Sequence, residues 1–326
     1  MAPHDPTQDD TWRPSASIAT LQRRAELIQD IRRFFAGRRV LEVETPALSH
    51  AASSEPHLQS MQVSGPGMAT AYLHTSPELA MKRLLAAGSG DIFQLCKVFR
   101  AGERGKRHNP DLTLLDWYRL GLDRQALMSE VGELLTELLA ARLAAPPRVI
   151  TYQQAFQDYA GIDPFAASPA QMEAAFRAHV NEDVVGVGEA DWPDLLLSRV
   201  VQPRLPADRL VFITHFPAAQ ASLARLDAHN PQLACRFEAF FGGLELANGF
   251  EELTDRAEQQ RRIEAEQAAR QASGLPCLPS DVRFLAALQA GLPPCSGVAV
   301  GVDRVVMLAC GQDEIARVLS FDFARA

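Results

Sequence analysis

Two stretches of this 326-residue chain gather side chains that could do chemistry, and a third offers a backbone that a ligand could approach closely. The first is FRAGERGKRHNPDLTLLDWYR at 99–119, which sets Arg100, Arg104, Lys106, Arg107 and His108 ahead of Asp111 and Asp116. Arginine forks match phosphate oxygens, so such a run can reach around a polyphosphate while the acids read the other end of the ligand. From composition alone, a charged surface hairpin is the equal alternative. The second is FEAFFGGLELANGFEEL at 237–253, where Glu238, Glu245, Asn248, Glu251 and Glu252 stand among Phe240, Phe241, Leu244, Leu246 and Phe250. Carboxylates in an apolar strand are costly unless something positive lies between them; a Mg2+ carrying nucleotide phosphates, or a cationic amine, would serve. A pair of exposed acids on a polar face is the alternative, which these apolar neighbours make less attractive. Strict alternation gives Asn248 and Glu252 one face and Glu245 the other, so a bend at Gly249 or a bulge is required before all converge. The third is GVAVGVDR at 297–304, small residues followed by Arg304, which by itself also reads as tight strand–helix packing.

These groups need elements to hold them. Helical spacing marks about 20–35, 76–88, 124–143, 255–272 and 281–290. In the second of these Ser76 can cap, Pro77 suits the first turn and Glu78 complements the helix dipole. Extended segments are expected at 40–46, 71–75, 91–101, 111–120, 209–217 and on both sides of Gly242-Gly243, with a strand entering a helix over 296–311. Residues 49–70 read as loop, 1–19 as a loose arm, and 150–205 as an insertion of short helical pieces. Hairpins at both ends, without regular β–α alternation, predict an α+β fold with a mostly antiparallel sheet flanked by helices.

Several functions are disfavoured. With 32 basic against 40 acidic residues the net charge is −8, which argues against gripping nucleic acid mainly by phosphate neutralisation. Cys96, Cys235, Cys277, Cys295 and Cys310 form no C-x-x-C pair, so neither a disulfide framework nor a zinc ribbon is suggested. His50, His57, His179, His215 and His229 show no metal-ligand spacing. No apolar run approaches a membrane span, and MAPHDPTQDDTW lacks a signal pattern, so the cytoplasm is expected. With no G-x-S-x-G, Walker or G-x-G-x-x-G motif, nothing marks a covalent nucleophile. That suits a reaction run by positioning and charge neutralisation.

In order, the helix and extended segment ending at Pro46, then FRAGE…HNPDL, then GVDR resemble motifs 1, 2 and 3 of the class II aminoacyl-tRNA synthetases, from about residue 15 to the end. TSPELAMKRL, RHNP, ELANGFEELTD and GVDR are similar to the lysyl-tRNA synthetase subgroup. No independent module of ~50 residues for an anticodon fits ahead of the first helix. With SPE at 76–78 and GVAVGVDR at 297–304, the pattern resembles the branch whose catalytic core modifies elongation factor P instead of tRNA.

The resemblance implies one catalytic domain over 20–326, a homodimer, and ATP- and Mg2+-dependent activation of (R)-β-lysine as an aminoacyl adenylate. Transfer to a lysine ε-amine of elongation factor P would follow, with neither tRNA nor membrane involved. It implies that Arg100 holds the substrate carboxylate and α-phosphate, and Arg304 the γ-phosphate. Asn109 and the backbone around Gly102 would sit on ATP, with Glu103, Leu246 and Gly301 in the same set, while Glu238 and Glu245 carry Mg2+. Glu78, Tyr118 and Glu252 would take the ε-ammonium, Asn248 the carboxylate side and Asp116 the backbone amine, beside Ser76 and Pro77. Ala299 stands where lysyl-tRNA synthetases have glycine, and one methyl biases between α- and β-lysine by ~1–3 kcal/mol.

Other departures are Gly102 in the place of the motif 2 acid with Glu103 following, Leu112 where a phenylalanine would stack on adenine, and the shortened acids Asp111 and Asp116. Lysyl-tRNA synthetase activity is one alternative. A non-catalytic paralogue is another, against which the retained Arg100, Glu245, Glu252 and Arg304 speak.

Overall fold

The computed structural model describes residues 12–56, 58–181, 184 and 187–326; residues 1–11 of the expected arm, and His57, lie outside them. In chain order come helix α1 (Ile18–Gly37), strands β1 (Leu41–Glu42), β2 (Leu48–Ser49), β3 (Gln62–Gly65) and β4 (Met68–Leu73), and helix α2 (Glu78–Ala86). Strands β5 (Ile92–Phe99) and β6 (Asp111–Leu120), helix α3 (Arg124–Leu139) and strand β7 (Arg148–Thr151) follow. Then come helices α4 (Tyr152–Ala160), α5 (Pro169–His179) and α6 (Trp192–Leu196), and strands β8 (Val211–Pro217), β9 (Leu233–Phe241) and β10 (Leu244–Glu251). Helices α7 (Arg256–Ala272) and α8 (Val282–Gly291), strand β11 (Cys295–Gly301) and helix α9 (Val302–Cys310) complete the α+β order. The span expected as one domain divides into two compact units. One holds the described residues up to Trp117 with Asp255–Leu292 and Gly301–Ala326; the other holds Tyr118–Thr254 and Pro293–Val300.

In the first unit, Ser17 caps α1 by accepting the Thr20 N–H. Leu27, Ile31, Phe34 and Phe35 form the buried stripe of that helix. Phe35 stacks on Phe93 of β5 at 4.5 Å and meets Trp117 edge-on at 5.2 Å, so α1 is fixed to the strand that carries Arg100 at its end. β5 lies between β1, its short parallel partner, and β6. Two expectations fail here. Residues 49–70 are not all loop, since β3 and β4 pair antiparallel and β4 also pairs with β2. β3 and the start of β4 are mostly exposed and carry no hydrophobic alternation to betray them. Nor does the arm run to residue 19. The Ser15 and Ala16 N–H groups donate to the Ser320 and Leu319 carbonyls, and α1 begins at Ile18.

In the second unit the strand order is the end of β6, then β11, β10, β9, β8 and β7. β11 to β8 pair antiparallel, while β7 joins β8 in parallel. Gly242 and Gly243, at φ +58° and +71°, make the two-residue turn between β9 and β10 that side chains would resist. Helix α3, shorter than the 124–143 expected, buries Leu127, Val131, Leu134 and Leu138 and packs on β9 and β10. Residues 150–205, expected as an insertion of short helical pieces, do hold short helices. Tyr152, Phe156, Phe176, Trp192 and Leu196 from α4, α5 and α6 form one core with Ile213, Phe216 and Phe240. Helices of five to eleven residues between turns give too few repeats for a periodic signal.

Candidate active site

The parity conflict among the acids of 237–253 is resolved by a bulge. Glu245 faces Phe240 and Asn248 faces Glu238, with the register shifting between Glu245 and Ala247. Leu246 is therefore the extra residue, and the switch lies there instead of at Gly249. Directly opposed residues share a face, so Glu238, Glu245 and Asn248 now project together. Ala299 pairs with Asn248 and Gly297 with Phe250, which brings both onto that face. Ile213 and Phe240 lie on it too, so the core built from α4–α6 adjoins these polar groups. Leu246 itself is buried.

Gly297 is the reason Tyr118 and Glu252 can lie against this sheet. A methyl there would stand 2.2 Å from Tyr118 Cε1 and 2.6 Å from Glu252 Oε1. Both side chains are buried, Glu252 being only 3% exposed, and the strand continues past β10 through the Glu252 N–H donating to the Cys295 carbonyl. A phenol and a carboxylate close together over a bare backbone are groups of the kind that can balance a buried cation. Beside them the Asn248 Oδ1 is buried without a hydrogen bond, so this amide has polar capacity the fold itself does not use.

Glu238 is also buried, and its Oε1 accepts from Arg236 Nη2 at 2.5 Å. Burial pushes its carboxyl up to about 7; Arg236 opposes this and the Glu245 charge adds to it. Two carboxylates that repel one another in a partly buried setting suit a divalent cation with phosphate oxygens as its remaining ligands. Arg236 is held in turn by the Gln220 carbonyl and lies over the Phe216 ring.

The first unit carries its own cluster. Ser76 Oγ accepts the Glu78 N–H at 3.1 Å and donates to Asp116 Oδ2 at 3.0 Å, tying the start of α2 to β6. Pro77 occupies the cap position, buried. The Asp116 Oδ1 is buried with no hydrogen bond. Glu78 is not a bare acid awaiting a ligand, because its Oε1 receives Lys82 Nζ at 2.7 Å from one turn on, and Lys82 is 1% exposed. Arg100 donates to the Thr75 carbonyl and pairs with Glu103 at 3.5 Å, so the acid one place late in the sequence does reach this arginine.

Burial, reinforced by the Glu78 charge, pushes Asp116 up to about 7 from 3.8. A carboxyl raised on folding gives stability that is complete below pH ~4 and lost as pH rises through about 7. Asp116→Asn is expected to flatten this slope. Urea midpoints at pH 5 and pH 8 should differ less in the variant than in the parent protein.

Asn109, expected on a nucleotide, is spent internally. Its Nδ2 donates to the Asp111 carbonyl and Oδ1, and its own Oδ1 accepts the Phe323 N–H. Gly102 is exposed at φ +83°, as the turn after Arg100 requires. Arg304, just past Gly301 in the first turn of α9, meets His108 Nε2 at 2.9 Å. Among the described residues no three His, Cys, Asp or Glu side chains gather as a metal cage.

Sequence reasoning missed Lys82, Arg236 and Gly297. Lys82 follows Glu78 at the i,i+4 spacing that pairs charges on a helix, so a signal existed. Arg236 and Gly297 matter through register, which only pairing reveals.

A family model described as tRNA synthetases class II (D, K and N) matches residues 10–325. Curated proteins named elongation factor P--(R)-beta-lysine ligase are similar along nearly their whole length. That of Salmonella gallinarum (strain 287/91 / NCTC 13346) is 48% identical over 324 residues, covering 97% of this chain and 98% of the relative. Those of Salmonella paratyphi B (strain ATCC BAA-1250 / SPB7) and Salmonella heidelberg (strain SL476) are each 48% identical over 323 residues, with the same coverage.

Proposed function

Given that the chain belongs to the class II tRNA synthetases of the D, K and N group, we propose that it activates (R)-β-lysine with ATP and transfers it to a lysine ε-amine of elongation factor P. The observation that carries this reading is the buried Glu252 carboxylate beside Tyr118 over bare Gly297, a place made for an ammonium. Asn248 takes the carboxylate side of the substrate. Asp116, with Ser76 and Glu78 around it, takes the second amine, and Lys82 holds Glu78 in place.

Arg100 draws charge from the α-phosphate while the substrate carboxylate attacks its phosphorus, and pyrophosphate leaves with Arg304 at its far end. The ε-amine of the acceptor lysine then attacks the adenylate carbonyl; AMP leaves, the amine loses a proton, and an amide remains. Glu238 and Glu245 would hold Mg2+, which supplies charge neutralisation of the phosphates when bound. Asn109 contributes by fixing the backbone of the loop, since its amide is occupied. A homodimer that acts in the cytoplasm without a tRNA substrate belongs to the same reading. Among the described residues, no helix is long and apolar enough to cross a membrane.

ATP–pyrophosphate exchange with (R)-β-lysine and α-lysine side by side tests the first step. Exchange should be faster with the β isomer; equal or preferential use of α-lysine would count against the substrate assignment. Ala299→Gly removes the methyl opposite Asn248 and should shift the ratio of the two kcat/KM values toward α-lysine by roughly 10-fold or more. An unchanged ratio would remove Ala299 from the pocket.

A further inference from the structure

Residues 102–109 form a largely exposed loop, several of whose charged and polar groups have partners elsewhere in the fold. The segment 313–323 runs along it and engages it at several points. Lys106 Nζ pairs with Asp313 at 2.6 Å, and the Lys106 carbonyl accepts the Ile315 N–H at 2.8 Å. The Arg104 guanidinium lies over the Phe323 ring at 4.2 Å, and the Phe323 N–H donates to Asn109 Oδ1 at 3.0 Å. The segment is anchored at its other side: Ser15 bonds to Ser320 and Asp322, Ala16 to Leu319, and Arg24 Nη1 to the Val318 carbonyl. Arg24 also pairs with Asp303, whose other oxygen accepts the Thr113 N–H of β6.

We propose that 313–323 is a strap that holds the loop 102–109 in one arrangement, with Phe323 as its principal positioning residue. Through Asn109 and Arg104 the strap grips both arms of the loop, and Arg304–His108 closes the tip onto α9. Glycines at 102 and 105, both at positive φ, leave the loop free to move once released. The Lys106–Asp313 pair is exposed on both sides and contributes little alone. The arginine–ring contact and the two backbone-donated bonds carry the hold. In the proposed reaction this keeps the phosphate-binding arginines and the nucleotide loop in register before ATP arrives. The functional consequence rests on that reading; the mechanical one does not.

The test uses the full chain with Phe323→Ala, Phe323→Tyr and Asp313→Asn. Trypsin cleaves after Arg104, Lys106 and Arg107, so its rate on the loop reports whether the strap holds it. Phe323→Ala should speed cleavage about 2- to 5-fold, the range for one exposed cation–π contact, and raise the KM for ATP while leaving the KM for the amino acid unchanged. Phe323→Tyr should restore both, and Asp313→Asn should change either by less than Phe323→Ala. Unaltered cleavage in Phe323→Ala overturns the strap, as does an equal rise of both KM values, which would mark a merely structural residue. Faster cleavage with an unchanged KM for ATP upholds the strap and instead overturns the placing of nucleotide at this loop.

Discussion

Glu252→Gln should abolish activation of either lysine isomer while the protein stays folded. The carboxylate is 3% exposed, and an ammonium brought against a neutral amide there keeps its desolvation cost without its counter-charge. Removing one partner of a buried ion pair costs about 3–5 kcal/mol, or roughly a hundred- to several-thousand-fold in kcat/KM. Glutamine has nearly the same shape, so a cooperative urea transition with a defined midpoint should persist. The measurement is amino-acid-dependent pyrophosphate exchange together with that midpoint. Near-parental exchange would show that the amine is bound elsewhere.

Gly297→Ala is the complementary experiment, because it leaves every proposed polar group in the chain and moves two of them. The added methyl would lie 2.2 and 2.4 Å from two Tyr118 ring carbons and 2.6 Å from Glu252 Oε1, distances that cannot persist. Overpacking of this kind costs about 1–3 kcal/mol of stability. Displacing a binding pair costs more in activity, and a loss of about 100-fold in kcat/KM is expected, chiefly through the KM of the amino acid. Gly249→Ala is the control. Its methyl would meet the Phe237 ring at 2.4 Å and Val298 at 3.1 Å, on the other face of the sheet. It should lower stability comparably with little change in that KM. Similar kinetics in the two variants would deny the Gly297 face its special role.

The contrast between these glycines also shows what could be read from the residues alone. The Gly242-Gly243 pair placed β9 and β10 on its two sides, and the clash of parities among Glu245, Asn248 and Glu252 demanded a bend or a bulge. Where it falls depends on which residue of β10 loses its partner. That is decided by pairing with β9, and Leu246 looks like any other strand residue in sequence. Gly297 was visible only as one small residue among several, since its importance comes from Tyr118, nearly 180 positions away in the chain. Glu78 was legible as an acid at a helix start, but its engagement by Lys82 needed the burial of that lysine to be known. Asn109 was placed on ATP by the resemblance alone, whereas the Phe323 N–H and Asp111 draw it inward. The strand at 62–65 and the start of β4, before the expected 71–75, escaped for a different reason. They pair through backbone alone, with most side chains exposed and no hydrophobic period to mark them.

Intact-mass measurement of elongation factor P after incubation with this protein, ATP and (R)-β-lysine tests the whole scheme most directly. The expected result is a gain of one β-lysyl residue that requires both small molecules and disappears when the acceptor lysine is changed to arginine. Unmodified elongation factor P, in a reaction where the same preparation charges lysine onto tRNA, would contradict it.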